Sequence, residues 1–76
     1  MAAGRLVRVS EDLVLTPDFA ARAEQVARSE ASKAEGLTVS RYRELLGTSR
    51  KYALPILAWL DDRGVTQRHG DVRRLA

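Results

Sequence analysis

Residues 38–64, TVSRYRELLGTSRKYALPILAWLDDRG, contain two short helical patterns separated by a single glycine. Thr38 can cap the start of the first helix, and Gly47 can adopt the left-handed conformation that ends it. Thr48-Ser49 can cap the second helix, which we expect to run from about Arg50 to Arg63. Two short helices joined by so few residues predict a helix-turn-helix.

Both helices carry apolar residues at spacings of three and four, which predicts one buried face on each. The expected inner residues are Val39, Tyr42, Leu45 and Leu46 on the first and Ala53, Ile56, Leu57 and Leu60 on the second. Pro55 removes the hydrogen bond to the Lys51 carbonyl, so we expect a kink or a loosened first turn there rather than a broken helix. We expect Trp59 to anchor this helix against the N-terminal helix or β-hairpin.

The flanking segments complete a winged helix. Upstream, Thr16-Pro17-Asp18 favours a helix start, and the helix is expected to extend to about Ala34. Downstream, Val65–Arg68 and Val72–Leu75 resemble two strands that are joined through His69-Gly70-Asp71. The predicted fold class is therefore mainly α with a small β component: a helix-turn-helix followed by a β-hairpin wing.

The N-terminal segment predicts one more β-hairpin. Arg5–Val9 alternates apolar and basic residues, and Leu13-Val14-Leu15 follows the polar turn Ser10-Glu11-Asp12. We therefore divide the chain into a lead-in hairpin at residues 1–16 and a winged-helix domain at residues 17–76.

The amino-acid composition excludes several classes of functional site and favours one kind of partner. Seventy-six residues form one domain, and the absence of cysteine excludes disulfides, thiolate metal sites and cysteine nucleophiles. The short apolar runs indicate neither a membrane span nor a signal peptide, so we expect a cytoplasmic protein. Residues 1–37 hold five Lys/Arg against six Asp/Glu, whereas residues 38–76 hold eight against four. This basic second half favours a polyanionic partner.

The stretch Thr48-Ser49-Arg50-Lys51-Tyr52 is the best candidate for a binding site. Backbone N–H groups at a helix start attract phosphate, but Arg50 and Lys51 oppose the helix dipole there. Because stability alone would favour acidic residues at this position, we interpret the two cations as ligand-binding residues rather than as a merely solvated turn. Tyr52 can either stack on an exposed base or pack against the preceding helix.

Four further arginines are weaker candidates. Arg41 and Arg43 flank Tyr42 and should face solvent, where they either touch a sugar-phosphate backbone or only keep the surface soluble. Arg68 and Arg73 lie in the predicted wing, where charge also protects an edge hairpin from pairing with other sheets. His69 is the only histidine, and we interpret it as a turn residue.

Catalytic constellations are absent from the sequence. Asp61 and Asp62 diverge by ~100° on a helix, so they cannot act as a paired acid and base, and we assign them to the helix end. There is no glycine-rich phosphate loop, no Ser-His-Asp set and no metal-ligand cluster. We expect no enzymatic activity, no cofactor and no metal.

The run from Thr38 to Arg73 strongly resembles the last winged-helix domain of bacterial selenocysteine-specific elongation factors (SelB). Their pattern is close to R-x-L-L-G-T-S-R-K-Y-A-L-P-L-L-E-Y-L-D-x-x-G-V-T-x-R-x-G-D-x-R, and this chain follows it without a gap. Ala58, Trp59 and His69 depart from it, away from the Ser49-Arg50-Lys51 centre. Residues 6–16 are similar to the segment that leads into this domain, either the wing of a preceding winged helix or a strand pair shared with this one.

The resemblance implies a role in selenocysteine insertion. The family's C-terminal winged helices hold the selenocysteine insertion stem-loop of the mRNA and so tether the factor beside the ribosome. The resemblance makes Ser49, Arg50, Lys51 and Tyr52 the best candidates for RNA contacts, and Arg41, Arg43, Arg68 and Arg73 weaker ones. Any GTPase activity would belong to N-terminal domains that this sequence does not contain. We expect a monomer with an mRNA stem-loop as partner, an indirect link to the ribosome and no membrane contact.

Two other functions remain open on the residues alone. Winged helices also serve as transcription regulators on duplex DNA, and the fold does not separate the two roles. A protein-docking module would instead expose an apolar patch on the last helix or the wing. Comparing the affinity for an RNA stem-loop with that for a DNA duplex of equal length, at equal salt, would separate the RNA-binding function from the DNA-binding one.

Overall fold

A computed structural model describes residues 6–76 of the protein. Within this range a β-hairpin is followed by three helices and a second β-hairpin. The elements are β1 (Val7–Ser10), β2 (Leu13–Leu15), α1 (Pro17–Ala31), α2 (Val39–Leu46), α3 (Arg50–Asp62), β3 (Thr66–His69) and β4 (Val72–Leu75). The prediction of a mainly α winged helix is confirmed. Arg5, predicted to begin the first hairpin, lies outside the described residues.

Helix α1 begins as predicted and ends earlier. The Phe19 amide donates to the Thr16 hydroxyl over 3.2 Å, with Pro17 in the first turn. The helix ends at Ala31 rather than Ala34, and the Ser32 amide donates to the Arg28 carbonyl over 3.2 Å. The predicted end was wrong because the following segment turns toward the second hairpin, and this tertiary contact outweighs its local helix propensity.

Helices α2 and α3 form the predicted helix-turn-helix. Thr38 caps α2 by accepting from the Arg41 amide over 3.1 Å, and Gly47 ends the helix at a φ of +68°. Helix α3 is continuous through Pro55, so the expectation that proline would not break this helix is confirmed. The helix stops at Asp62, with Arg63 as its C-cap.

The core lies where the three helices meet. Alanines of α1 allow close approach of the larger residues on α2 and α3. The buried apolar residues are Leu15, Ala20, Ala23, Ala27, Ala31, Leu37, Tyr42, Leu46, Ala53, Ile56, Leu57, Leu60 and Val65. Val39 and Leu45, predicted to be inner residues, are only half-buried because they lie at the edges of the α2 face.

A buried hydrogen bond fixes α2 against α1. The Tyr42 hydroxyl donates to the Ala23 carbonyl over 2.7 Å, and the tyrosine ring is fully buried. Burial raises the pKa of the Tyr42 phenol, because the charged form would lose its hydration. The hydrogen bond supplies the partner that a buried phenol requires.

The two β-hairpins form separate sheets. Strands β1 and β2 pair with each other, and β1 contacts α3. Within residues 6–76 they share no sheet with the second hairpin. Strands β3 and β4, the wing, pair from Thr66 opposite Leu75 to His69 opposite Val72. The interpretation of His69 as a turn residue was wrong, because His69 pairs with Val72 and the turn is Gly70-Asp71 alone. The domain boundary at residue 16 stays a prediction.

The base of the wing is attached to the segment between α1 and α2. The Leu37 amide donates to the Arg73 carbonyl over 2.9 Å, and the Arg73 amide donates back over 2.8 Å. Gly36 adopts a φ of +75°, and a Cβ there would lie 3.1 Å from Cβ of Val72 and 3.2 Å from the Arg73 carbonyl oxygen. Glycine is therefore needed both for the backbone conformation and for this close approach.

In the part of the chain that the structure describes, no helix has the length and apolar character needed to cross a bilayer.

Candidate nucleic-acid interface

The start of α3 has backbone donors that the helix does not use. Ser49 occupies the N-cap position, but its side chain makes no capping hydrogen bond to the described residues. Its carbonyl accepts from the amides of Tyr52 and Ala53, whereas the amides of Arg50 and Lys51 have no acceptor within residues 6–76. A helix start in this state presents a hydroxyl and two N–H groups to a ligand.

Arg50 and Lys51 add two exposed cations to the same point. Neither forms an ion pair with a carboxylate of the described chain. The Lys51 ammonium lies 5.7 Å from the centroid of the Tyr52 ring, and Tyr52 is 42% exposed. A cation over an exposed aromatic ring suits a nucleic-acid base or phosphate.

One groove, here called the wing groove, lies between the wing and the starts of α2 and α3. Its volume is about 270 Å³, and its lining residues are Thr38, Val39, Ser40, Arg50, Leu54, Arg68, Gly70, Asp71 and Arg73. Arg68 is exposed, and its Nε donates to the Gly70 carbonyl over 3.0 Å. The structure thus brings Arg50 and Arg68, which are distant in sequence, to one groove.

Arg73 occupies the interior of this region rather than its surface. The side chain is only 9% exposed, and its NH2 group lies 3.1 Å from the Asp61 carboxylate. The other oxygen of Asp61 accepts from the Thr66 hydroxyl over 2.6 Å. Asp61 therefore ties the end of α3 to both strands of the wing. Sequence reasoning placed Asp61 at the helix end but missed this role, although a two-residue turn at Gly70 would have aligned Arg73 with the inner face of the wing.

Lys51 and Tyr52 lie on the other side of α3. Together with Pro55 they line a second concavity against the N-terminal β-hairpin, with Ser10, Asp12 and Leu13. The predicted cluster at the start of α3 is therefore divided between two concavities, one on each flank of the helix. The sequence alone did not indicate that the N-terminal β-hairpin borders this site.

Arg41 and Arg43 lie on the exposed side of α2. The Arg41 Nε is 3.6 Å from the Glu30 carboxylate, which also pairs with Lys33 over 2.8 Å. The hydrogen bond from Lys33, aided by the charge of Arg41, holds the pKa of Glu30 below its ordinary value. Arg43 is exposed, with no hydrogen bond or ion pair from its side chain to the residues described.

Metal ligands are not clustered in the described residues: no group of three or more His, Cys, Asp or Glu side chains is placed to hold an ion.

Comparisons with known proteins identify a relative of the whole arrangement. A solved structure of the mRNA-binding domain of elongation factor SelB from E. coli, in complex with SECIS RNA, superposes with a TM-score of 0.81 at 25% sequence identity. The match covers 95% of this chain and 60% of that chain, so the protein spans less than two thirds of its relative. No curated protein sequence matches the chain.

The family model described as "Elongation factor SelB, winged helix" matches residues 30–75, which include α2, α3 and the wing. The resemblance noted in the sequence is confirmed. Since this match spans more than half of the chain, the protein belongs to the SelB winged-helix family.

Proposed function

We propose that this domain binds an mRNA stem-loop through the start of α3 and the two concavities that flank it. One observation carries the proposal: Arg50 and Lys51 stand at a helix start without a carboxylate partner in residues 6–76. The RNA-bound E. coli relative supports RNA as the ligand class. We assign the domain a binding role and no catalytic step.

Electrostatics explains why such cations favour a polyanion. A cation within the first turn opposes the helix dipole at a cost of about 0.3–1 kcal/mol. Within residues 6–76 no carboxylate forms an ion pair with either cation, whereas an RNA phosphate would interact with the cations and the free amides together. The arrangement therefore gains more from a bound anion than from internal pairing.

The geometry suits a loop better than a regular duplex. The major groove of an A-form helix is too deep and narrow to admit α3, while a loop presents crowded phosphates and unstacked bases. Arg50 and Arg68 lie on one flank of the helix, and Lys51 and Tyr52 lie on the other. We assign Tyr52 to base stacking and the three cations to phosphates, with Ser49 between them.

The remaining candidates extend this surface. Arg43 is exposed and supports a contact with the RNA backbone, whereas Arg41 must first exchange its Glu30 partner for a phosphate. Arg73 lines the wing groove, which supports its assignment to the same surface. At the level of the parent factor, we propose a cytoplasmic role in which a monomeric domain links the mRNA to the ribosome.

Ligand class is tested by measuring affinity for three probes of equal length at equal salt. These are a pool of RNA stem-loops with randomised loops, a fully paired RNA duplex and a DNA duplex. We expect the stem-loops to bind most tightly. Tighter binding to the DNA duplex would instead indicate the transcription-regulator function.

Salt dependence tests the phosphate contacts in the same assay. With three to four phosphates neutralised, the slope of log K against log salt should be roughly −2 to −4. A slope near zero would rule out the proposed role of the cations. A protein-docking module would instead capture a folded protein domain and would bind none of the RNA probes.

A further inference from the structure

We propose that the wing groove holds a single phosphate group of the RNA backbone, bound by the buried Nε–H of Arg73 with Arg50 and Arg68 beside it. The inference rests on the proposed RNA-binding function and names the ligand chemistry at one part of that surface. The wing groove is the only part that combines a helix start with a buried cationic donor among the residues described.

The main observation is an unpaired donor. Arg73 is 7% exposed, and its Nε is buried without a hydrogen-bond partner among the described residues. More than about 90% of buried polar groups in proteins have a partner, and leaving one without costs about 1–3 kcal/mol. Asp61 engages the NH2 end of the same guanidinium, and Arg73 lines the wing groove. A ligand in the groove would supply the acceptor that Nε lacks.

The register of the wing places a second cation beside this donor. Arg68 lies directly opposite Arg73, at a cross-strand spacing of about 5 Å between Cβ atoms. Like charges in this position repel, and Asp61 compensates only Arg73. An anion between the two guanidinium groups would turn this repulsion into two attractions. Arg50 lines the same groove from the start of α3.

The donors match a phosphate better than a nucleobase. Arginine side chains and backbone amides donate hydrogen bonds and accept none, so their complement is a group that only accepts. Phosphate oxygens meet this condition, and arginine binds them in bidentate geometry. Of the described residues that line the groove, Asp71 alone is acidic, and it is exposed at the turn of the wing. A base edge that presents only acceptors is the competing occupant.

The direct test uses the unmodified chain and the NMR signal of the Arg73 side-chain Nε–H. Three probes are titrated: inorganic phosphate, guanosine, and the RNA stem-loop that binds best in the affinity assay. We expect the Arg73 signal to shift with phosphate at millimolar concentration and with the stem-loop at much lower concentration, and not with guanosine. The Nε–H of Arg28, which is paired with Glu24 on α1, is the control, and its signal should shift with neither phosphate nor the stem-loop.

Each alternative outcome has a defined meaning. A shift with guanosine but not with phosphate would place a base in the groove and overturn the proposal. A shift with phosphate but not with the bound stem-loop would show that the groove takes free phosphate and not the RNA backbone, which also overturns it. If no RNA binds at all, the proposed function fails, whatever phosphate does.

The variant Arg73→Lys provides a second, independent measurement. Lysine keeps a cation that can pair with Asp61 but removes the Nε–H donor. We expect RNA affinity to fall roughly tenfold, as for the loss of one charge-assisted hydrogen bond. Thermal unfolding checks that the variant is folded, and the NMR titration of the unmodified protein stands if it is not. Equal affinity in a folded Arg73→Lys variant would contradict the proposal.

Discussion

The charged residues at the two ends of α3 differ in whether they have partners within the described protein. At the C-terminal end, Asp61 accepts hydrogen bonds from Thr66 and Arg73. Arg63 lies over the Trp59 ring at 4.7 Å and pairs with Glu24 of α1 over 3.3 Å. At the N-terminal end, about 20 Å away by the helical rise of 13 residues, Arg50 and Lys51 pair with no carboxylate in the range that the structure describes.

The charged residues at one end of α3 stabilise the fold, whereas those at the other end are available to bind a ligand. Charges at the C-terminal end hold α1, α3 and the wing together, so their loss should destabilise the domain. Charges at the N-terminal end work against the helix dipole, so their loss should weaken ligand binding and leave the fold intact. Substitutions at the C-terminal end should therefore lower stability, and substitutions at the N-terminal end should lower affinity.

The largest effect is expected at the C-terminal end, for Asp61→Ala. This change leaves the buried guanidinium of Arg73 without its anion and the Thr66 hydroxyl without its acceptor. We expect the free energy of unfolding to fall by about 2–4 kcal/mol. For a domain of this size, the total is only about 4–11 kcal/mol.

Urea unfolding of the two proteins measures this loss. Asp62→Ala is the matched control, because Asp62 is exposed at the next position. Similar losses for both variants would mean that the Asp61 contacts add little to stability.

The next largest effect is expected at the N-terminal end, for Arg50→Ala. The variant should bind the RNA stem-loop more weakly by about 1–3 kcal/mol, through loss of charge-assisted contacts. Its unfolding free energy should stay the same or rise slightly, because a cation leaves the positive end of the helix dipole. Fluorescence anisotropy with labelled RNA gives the affinity, and urea unfolding gives the stability.

The control for Arg50→Ala is Arg28→Ala, which removes the same charge from an exposed pair on α1. It should leave RNA affinity within twofold. If both variants weaken binding equally, net charge rather than position governs the interaction, and the contrast between the helix ends is lost.

Ser49→Asp should shift stability and affinity in opposite directions. An aspartate at this N-cap would accept from the free amides and complement the dipole, raising stability by about 0.5–1 kcal/mol. The same carboxylate would repel phosphate and weaken RNA binding. Thr16→Asp, at the N-cap of α1, is the control that should change neither by much, because Thr16 already caps its helix. Stronger RNA binding by Ser49→Asp would mean that this helix start lies away from the interface.

The smallest effect is expected for Arg63→Ala. Its ion pair with Glu24 and its contact with Trp59 are half-exposed, so their loss should cost only about 0.5–1 kcal/mol. RNA affinity should not change, since Arg63 lies at the far end of α3. Thermal unfolding and anisotropy measure the two quantities. A loss of affinity comparable to that of Arg50→Ala would extend the interface along the whole helix.

Local signals in the sequence predicted most of the fold. Thr38, Gly47 and Gly70 each have one preferred structural use, and each is found in it. The end of α1 was missed because it depends on a contact between Leu37 and Arg73, which are distant in sequence. Caps and turns can be predicted from neighbouring residues, but contacts between distant segments cannot.

The same distinction applies to the candidate site. The cations at the start of α3 could be predicted because they conflict with a local rule, the preference for acids at that position. The burial of Arg73 could not, because it depends on Asp61 and on the register of the wing. The division of Arg50 and Lys51 between two concavities likewise required the position of the N-terminal β-hairpin.

The lack of space above Gly36 has a consequence for how the domain meets its ligand. Two backbone hydrogen bonds between Leu37 and Arg73 hold the base of β4 against the segment before α2, and the close approach at Gly36 requires this packing. The gap between the wing and α3 is thus set before any encounter. We expect the nucleic acid, rather than the wing, to change conformation on binding. A bulkier residue at position 36 should loosen the attachment of the wing to the rest of the domain.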